Sequence, residues 1–455
     1  MRLSASRRGA AGSTSASSWA PRPFLAALLL ALFGTVPVPA QELPASPAPA
    51  GSGAGTAERG AGAYVADFDM LWEAVRRDYA YWDVSATDWG RARDLYRPRA
   101  QAASSRTELA EVVAGLLGEL YDAQARLRSD SPSRAGRAED TRDVWVEWQD
   151  GRAIITQVRE GSAADRADVE PGMELLAVNG VPIEQARSGR APESLSRPEP
   201  AALGAALRAL VADASQGGRT LEVRTPRRKQ STIRLEAGEP ALGPGVAAVT
   251  WETLPSGFGY MVVRQMDSLE VVAQFDAGLE RLRGVPGLVL DLRQLPDGGL
   301  DAVARGILSR FVETERGYMR RSAPAGKLWP ELDRRVIELV RPRGGTPWTA
   351  PVVVLVGRWT AGAAEDVAIG FDALEAGTLV GTPMAGRRGD AGALTLPSSG
   401  IRVEFPIVKA LHLDGTPRED VVPEVVVDVS AESARNDDDP VLDAGLETLR
   451  RLTGS

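Results

Sequence analysis

The residues of clearest chemical interest run from Pro351 to Asp366, PVVVLVGRWTAGAAED. An apolar strand enters a small-residue turn, and a helix leaves it with Glu365 and Asp366 in its first turn. Acyl-transfer enzymes use such a strand–turn–helix junction to present a hydroxyl nucleophile beside free backbone N–H groups. Here the turn offers Ala361, Gly362 and Ala363, and none of these side chains can attack a carbonyl. Acid–base groups are scarce as well. The 455 residues include one histidine, His412, and only the lysines Lys229, Lys327 and Lys409. There is no cysteine, which removes disulfides, thiolate catalysis, cysteine-ligated zinc and a lipoprotein anchor. No motif calls for a metal or a cofactor.

The elements that would position this turn follow from patterning. The formal net charge is −8, and without the four arginines of the first forty residues it becomes −12. An acidic chain is a poor partner for nucleic acid or anionic lipid. Residues 1–40 read as a secretory signal: Arg2, Arg7, Arg8 and Arg22 precede the short apolar run Phe24–Val36, and small residues end at Ala40. Cleavage there predicts a periplasmic or secreted protein with no membrane span left; an uncleaved anchor is the alternative. Residues 41–62, rich in Pro, Ala, Gly and Ser, read as a flexible linker. Residues 63–142 read as a helical region. Its first helix carries Phe68, Leu71, Trp72 and Val75, its second is capped by Asp88, and its third runs from Thr107 to Leu127. The polar stretch 129–142 reads as a connection.

Residues 143–237 change to short strands around the segment EGSAADRADVEPGMELLAVNG. Asn179-Gly180 predicts a tight hairpin turn, and Ala201–Ala214 a helix. This order resembles a PDZ domain. The approach Thr141–Val144 lacks the glycine-rich loop with which that family captures a peptide carboxylate. Strand addition to the sheet edge remains open, because it needs only backbone bonds. Residues 246–430 alternate strands with helices and predict an α/β layer architecture. Residues 431–455 end in a helix.

Three segments carry a further resemblance: GLVLDLRQLPDGGLD at Gly287–Asp301, the stretch Pro351–Gly386, and LHLDGTPREDVVPEVVV at Leu411–Val427. Their order and spacing are similar to those of the tail-specific (carboxyl-terminal processing) proteases and the tricorn-core-like serine peptidases. The resemblance spans roughly residues 64–430 and implies a crotonase-like (ClpP/crotonase) α/β core with an N-terminal helical region and an inserted PDZ-like domain. It places the nucleophile three residues before Glu365, at Gly362. It places the lysine base of the processing proteases at Arg387, and the histidine base of the tricorn-like branch at Gln124, within YDAQ at Tyr121–Gln124. An arginine stays protonated and an amide is not basic, so neither can activate a serine. Gly298, Gly299 and Ala363 match the positions whose N–H groups form an oxyanion hole, although the two glycines also fit an ordinary strand-to-helix turn. Thr360, Glu365 and Arg387 are candidates to line a groove beside it.

The function implied is an exported pseudopeptidase that binds peptide or protein segments. Two alternatives stay open. One is an active peptidase with a relocated nucleophile, Thr360 or Ser398, although Thr360, two residues before Gly362, reads as a cap of the helix that follows. The other is a structural subunit, as a homo-oligomer or paired with an active relative. His412 and Lys409 read as structural or solvent-facing, and Asp291 with Arg293 as a structural pair.

Overall fold

Two stretches of chain meet at one buried carboxylate. The computed structural model describes residues 58–128, 143–212, 218–236, 246–295, 298–323, 336–429 and 439–454. The expected signal, the connection 129–142 and most of the linker lie outside the described residues. Helices α1 (Glu58–Asp78), α2 (Trp89–Ala102) and α3 (Arg106–Gly118) come first, followed by a short strand, β1 (Arg126–Arg128). Asp88 caps α2 as expected, its side chain accepting from Arg91 N. Two boundaries move. Residues 58–62 are helical, so the linker cannot extend to residue 62. The third helix stops at Gly118 instead of reaching Leu127. Leu120 is fully buried beyond its end, so the apolar period outlasts the helix and hides its terminus.

β1 pairs antiparallel with β16 (Arg402–Leu411), and the faces of α1–α3 pack on Leu394, Val403 and Phe405. The helical region therefore shares its core with the last third of the chain.

Residues 144–235 form a sheet in the order β2 (Val144–Gln149), β3 (Arg152–Val158), β4 (Glu174–Val178), β6 (Arg219–Arg224), β7 (Gln230–Leu235), with β5 (Val181–Pro182) beside β4. Asn179 and Gly180 both take positive φ, 52° and 75°, as the hairpin between β4 and β5 requires. The helices here are α4 (Ala163–Arg166), α5 (Ile183–Arg190) and α6 (Pro200–Ala212). α5 is not foreseen from the sequence, because its exposed polar residues carry little apolar period.

The remaining strands make two sheets. One runs β17 (Val425–Val426), β14 (Thr378–Gly381), β13 (Val352–Val356), β10 (Leu288–Asp291), β9 (Gly259–Val263), β8 (Val249–Thr253), parallel except for the β8–β9 pair. All five residues of β13 are buried. Helices α7 (Glu270–Arg281), α8 (Asp301–Leu308) and α9 (Ala363–Ala373) cover one face, and α10 (Pro440–Thr453) the other. This gives the expected layered α/β arrangement. Arg293 fixes α10 by pairing with Asp291 (2.7 Å) and with the cap residue Asp439 (2.8 Å), so that pair is structural. The other sheet contains β1, β16, β11 (Arg316–Ser322) and β12 (Val336–Val340), with β15 (Asp390–Thr395) also on β16. β8, β11 and β12 are missing from the sequence reading; β12 alone has three exposed apolar residues, Val336, Ile337 and Leu339, which break alternation.

The buried carboxylate is Glu119, just past α3. It accepts from Tyr96 Oη (2.9 Å), Glu193 N (3.1 Å), Ser194 N (2.8 Å) and Ser194 Oγ (2.6 Å). It thereby stitches the 193–196 segment to the helical region. Glu119→Ala would leave these donors unsatisfied in a dry site. We expect a loss of roughly 3 kcal/mol or more in denaturant unfolding, and a smaller loss for Glu119→Gln. Equal stability of wild type and Glu119→Ala would show that the stitch is dispensable.

Candidate functional site

β10, β13 and β14 are adjacent parallel strands, and the loops leaving their carboxyl ends converge: residues 292–295 with 298–300, 357–362 and 382–389. Crevices at such strand ends are the usual ligand sites of open α/β sheets. The middle loop contains the small-residue turn. Gly362 is the cap of α9, with φ 59° and ψ −120°, a backbone state that side chains strain to adopt. Thr360 is fully buried and does not cap the helix. Its Oγ donates to Leu292 O (3.0 Å) and accepts from Gly357 N (2.9 Å), locking the turn to the first loop.

Glu365 joins the turn to the third loop. Its carboxylate is fully buried and accepts from Gly362 N (2.9 Å), Gly386 N (2.8 Å) and Arg387 N (3.1 Å). Burial pushes its pKa up to about 7, against the pull of Arg418 and of the N–H donors. Arg418, itself 2% exposed, pairs with Asp366 (2.6 Å) and donates to Arg387 O (3.1 Å) and Gly389 O (2.8 Å). Burial opposes the Arg418 charge, but Asp366 and Glu365 outweigh it and hold the guanidinium above its ordinary value. Arg321 extends the network from β11, meeting Asp366 (3.4 Å), Asp301 (3.2 Å) and Asp390.

The expected oxyanion donors are arranged differently from the sequence reading. Ala363 N donates to Gly298 O at 3.1 Å, so this N–H is already occupied. Gly298 and Gly299 take φ of 113° and 93°, and a Cβ on Gly299 would stand 2.9 Å from that of Ala363. The two loops touch too closely for any other residue at that position. The groove expectation also needs correction: Thr360, Glu365 and Arg387 are 0%, 0% and 5% exposed, because their polar atoms hold the loops together.

Gln124 lies beside a strained turn. Tyr121 has φ 41°, and Asp122 accepts from Gln124 N (2.9 Å) and from Tyr79 Oη (2.8 Å). Arg388, next to Arg387, donates to Tyr79 Oη (3.1 Å) and stands 3.7 Å from Asp122. The structure thus brings the two segments read as base positions against each other, through Arg388. Ser398 sits elsewhere, in the β15–β16 turn, its N–H bonded to Asp67 of α1. His412 faces Asp414 and Asp372, and Lys409 pairs with Asp83. The sequence reading missed Arg418, Asp122 and Arg388. Arg418 and Asp366 are 52 residues apart, and no local pattern ties them.

Strand-end loops held by buried carboxylates around a strand–turn–helix junction define a mixed α/β protein with the architecture of a serine-type peptidase. Residues 257–427 match the model of peptidase family S41, and residues 64–118 match the tricorn protease C1 domain. Residues 257–427 are thus an S41 peptidase domain, with a tricorn-like lead-in at residues 64–118. Among solved structures, mature CPAF complexed with lactacystin is similar with a TM-score of 0.58 and 15% identity, over 86% of this chain and 98% of that one. The photosystem II D1 C-terminal processing protease gives 0.53 and 19%, over 80% and 93%. No curated protein matches the chain by sequence. No helix among the described residues is long and apolar enough to cross a membrane.

The Glu365 pKa gives a pH dependence with a definite sign. A carboxyl raised from 4.5 to about 7 holds its proton more tightly in the folded chain than in the unfolded one. Its contribution to stability is therefore greatest at low pH and declines as pH rises from about 4.5 to about 7. Relative to Glu365→Gln, the wild type should lose stability between pH 5 and pH 8 in denaturant titrations. Parallel profiles for the two proteins would contradict this.

Proposed function

We propose that this chain is an exported pseudopeptidase: an S41 scaffold that binds peptide or protein segments without cleaving them. The observation that carries the reading is the residue at the strained turn. Gly362 has no side chain, and its backbone suits glycine. Around it, the lysine-base position is the buried Arg387 and the histidine-base position is Gln124. Nucleophile and base act as a unit, and losing either lowers rate by about 10⁴ to 10⁶. The relocated-nucleophile alternative is disfavoured because the Thr360 hydroxyl already bonds at both ends and Ser398 is docked on α1. A crotonase-like core and a PDZ-like module at residues 143–237 belong to the same reading. For binding, the outer strands of the module's sheet, β2 and β7, offer edges to which a peptide strand can add.

The purified protein is expected neither to react with a fluorophosphonate probe nor to hydrolyse casein. Turnover that disappears with Thr360→Ala or Ser398→Ala would reverse this conclusion. Gly362→Ser alone should stay inactive, because no base accompanies it and the positive φ strains serine by roughly 1–3 kcal/mol. Gly362→Ser combined with Arg387→Lys or with Gln124→His should cleave an unstructured peptide faster. A single variant within an order of magnitude of either double would place the base elsewhere. Export predicts a native terminus at Gln41, and mass spectrometry finding Met1 or Arg2 instead would reject cleavage.

A further inference from the structure

A second pocket, of about 530 Å³, is lined by none of Gly298, Gly299, Gly362 or Ala363. One wall is a face of the β11–β16 pair. Arg320 opposes Leu411 and Ser322 opposes Lys409 in antiparallel register. Residues two apart on a strand share a face, so these four stand together. Arg321, between them, also borders the pocket, while its guanidinium meets Asp366. The rest of the lining includes Tyr81, Asp83 and Val84 from the α1–α2 connection, with Arg388, Glu419 and Asp420.

This lining has unmet bonding capacity of both signs. Tyr81 Oη and Glu419 Oε2 are buried and make no hydrogen bond among the described residues. Buried polar atoms in native folds nearly always have partners, and a missing one calls for a reason such as a ligand. Burial also raises the Glu419 pKa, against the pull of Arg388 and Arg418. No ion pair among the described residues involves Arg320, whereas Lys409 and Arg388 each stand near an acid, Asp83 at 2.6 Å and Asp122 at 3.7 Å. Both of those cations also lie against the Tyr81 ring, at 5.2 and 5.4 Å. A purely anionic ligand would meet Glu419 and Asp420. A purely cationic one would meet Arg320, Arg388 and Lys409. A molecule with both charges matches this lining.

We propose that the pocket binds a compact zwitterion with the chemistry of a free apolar amino acid. Its carboxylate lies with Arg320 and Lys409 on the sheet wall, and its ammonium group with Glu419. Its side chain packs on Leu411 and Val84.

Isothermal titration of the purified chain with L-leucine, N-acetyl-L-leucine and L-leucinamide tests this. Leucine is expected to bind, and each singly charged analogue to bind at least about tenfold more weakly, since a hydrogen bond to a charged group is worth a factor of that size or more. Arg320→Gln should weaken leucine about tenfold and remove its advantage over leucinamide. Arg320 is only partly buried and has no ion pair among the described residues, so that variant should fold, which circular dichroism checks. Glu419→Gln should instead remove the advantage over N-acetyl-leucine. Three results would overturn the proposal: no leucine binding up to about 10 mM, equal binding of leucine and N-acetyl-leucine by the wild type, or unchanged leucine affinity in Arg320→Gln.

Discussion

The candidate site depends on one buried carboxylate. Glu365 receives three backbone N–H groups from two loops that are otherwise separate, Gly362 on one side and Gly386 and Arg387 on the other. A carboxylate accepting several N–H bonds is a strong, directional tie, but burying its charge is unfavourable. Arg418 offsets part of that burden from 3.9 Å while binding Asp366 more closely. The positions of the turn, the third loop and the short helical turn at Arg418–Asp420 are therefore set together.

That coupling holds the shape of the site without a side chain at position 362. The first loop is held by Thr360 Oγ on Leu292 O and by Ala363 N on Gly298 O, neither of which involves a nucleophile. A side chain at position 362 takes no part in these bonds. Glycine also eases the strain of a φ of 59°. A site of this kind can lose function and remain fully folded.

Much of this was legible in the chain. The strand at Val352–Val356, the helix after Gly362 and the C-terminal helix from Pro440 to Thr453 follow from apolar runs, small residues and caps. What was not legible depends on distance in sequence. β11 carries Arg316, Arg320 and Arg321 and reads as a polar loop, yet it pairs with β16 about ninety residues on. Thr360 looks like a helix cap because caps are local, but its partners are Leu292 and Gly357. Glu365 and Arg387 look like groove residues because polar side chains usually face water, and here they are buried by loops converging from three strands.

The pairing of β1 with β16 also orders assembly in time. Arg126 and Glu404 stand opposite each other across 278 residues of chain. β16 is the strand on which β1, β11 and β15 all align, and it is made after all three of them. Until then, the buried faces of α1–α3 have only one another to cover them, because Leu394, Val403 and Phe405 have yet to arrive. Such long-range contacts slow folding, since the intervening chain must be ordered before the contact forms. The helical lead-in and the closing sheet thus mature together, once β16 is available.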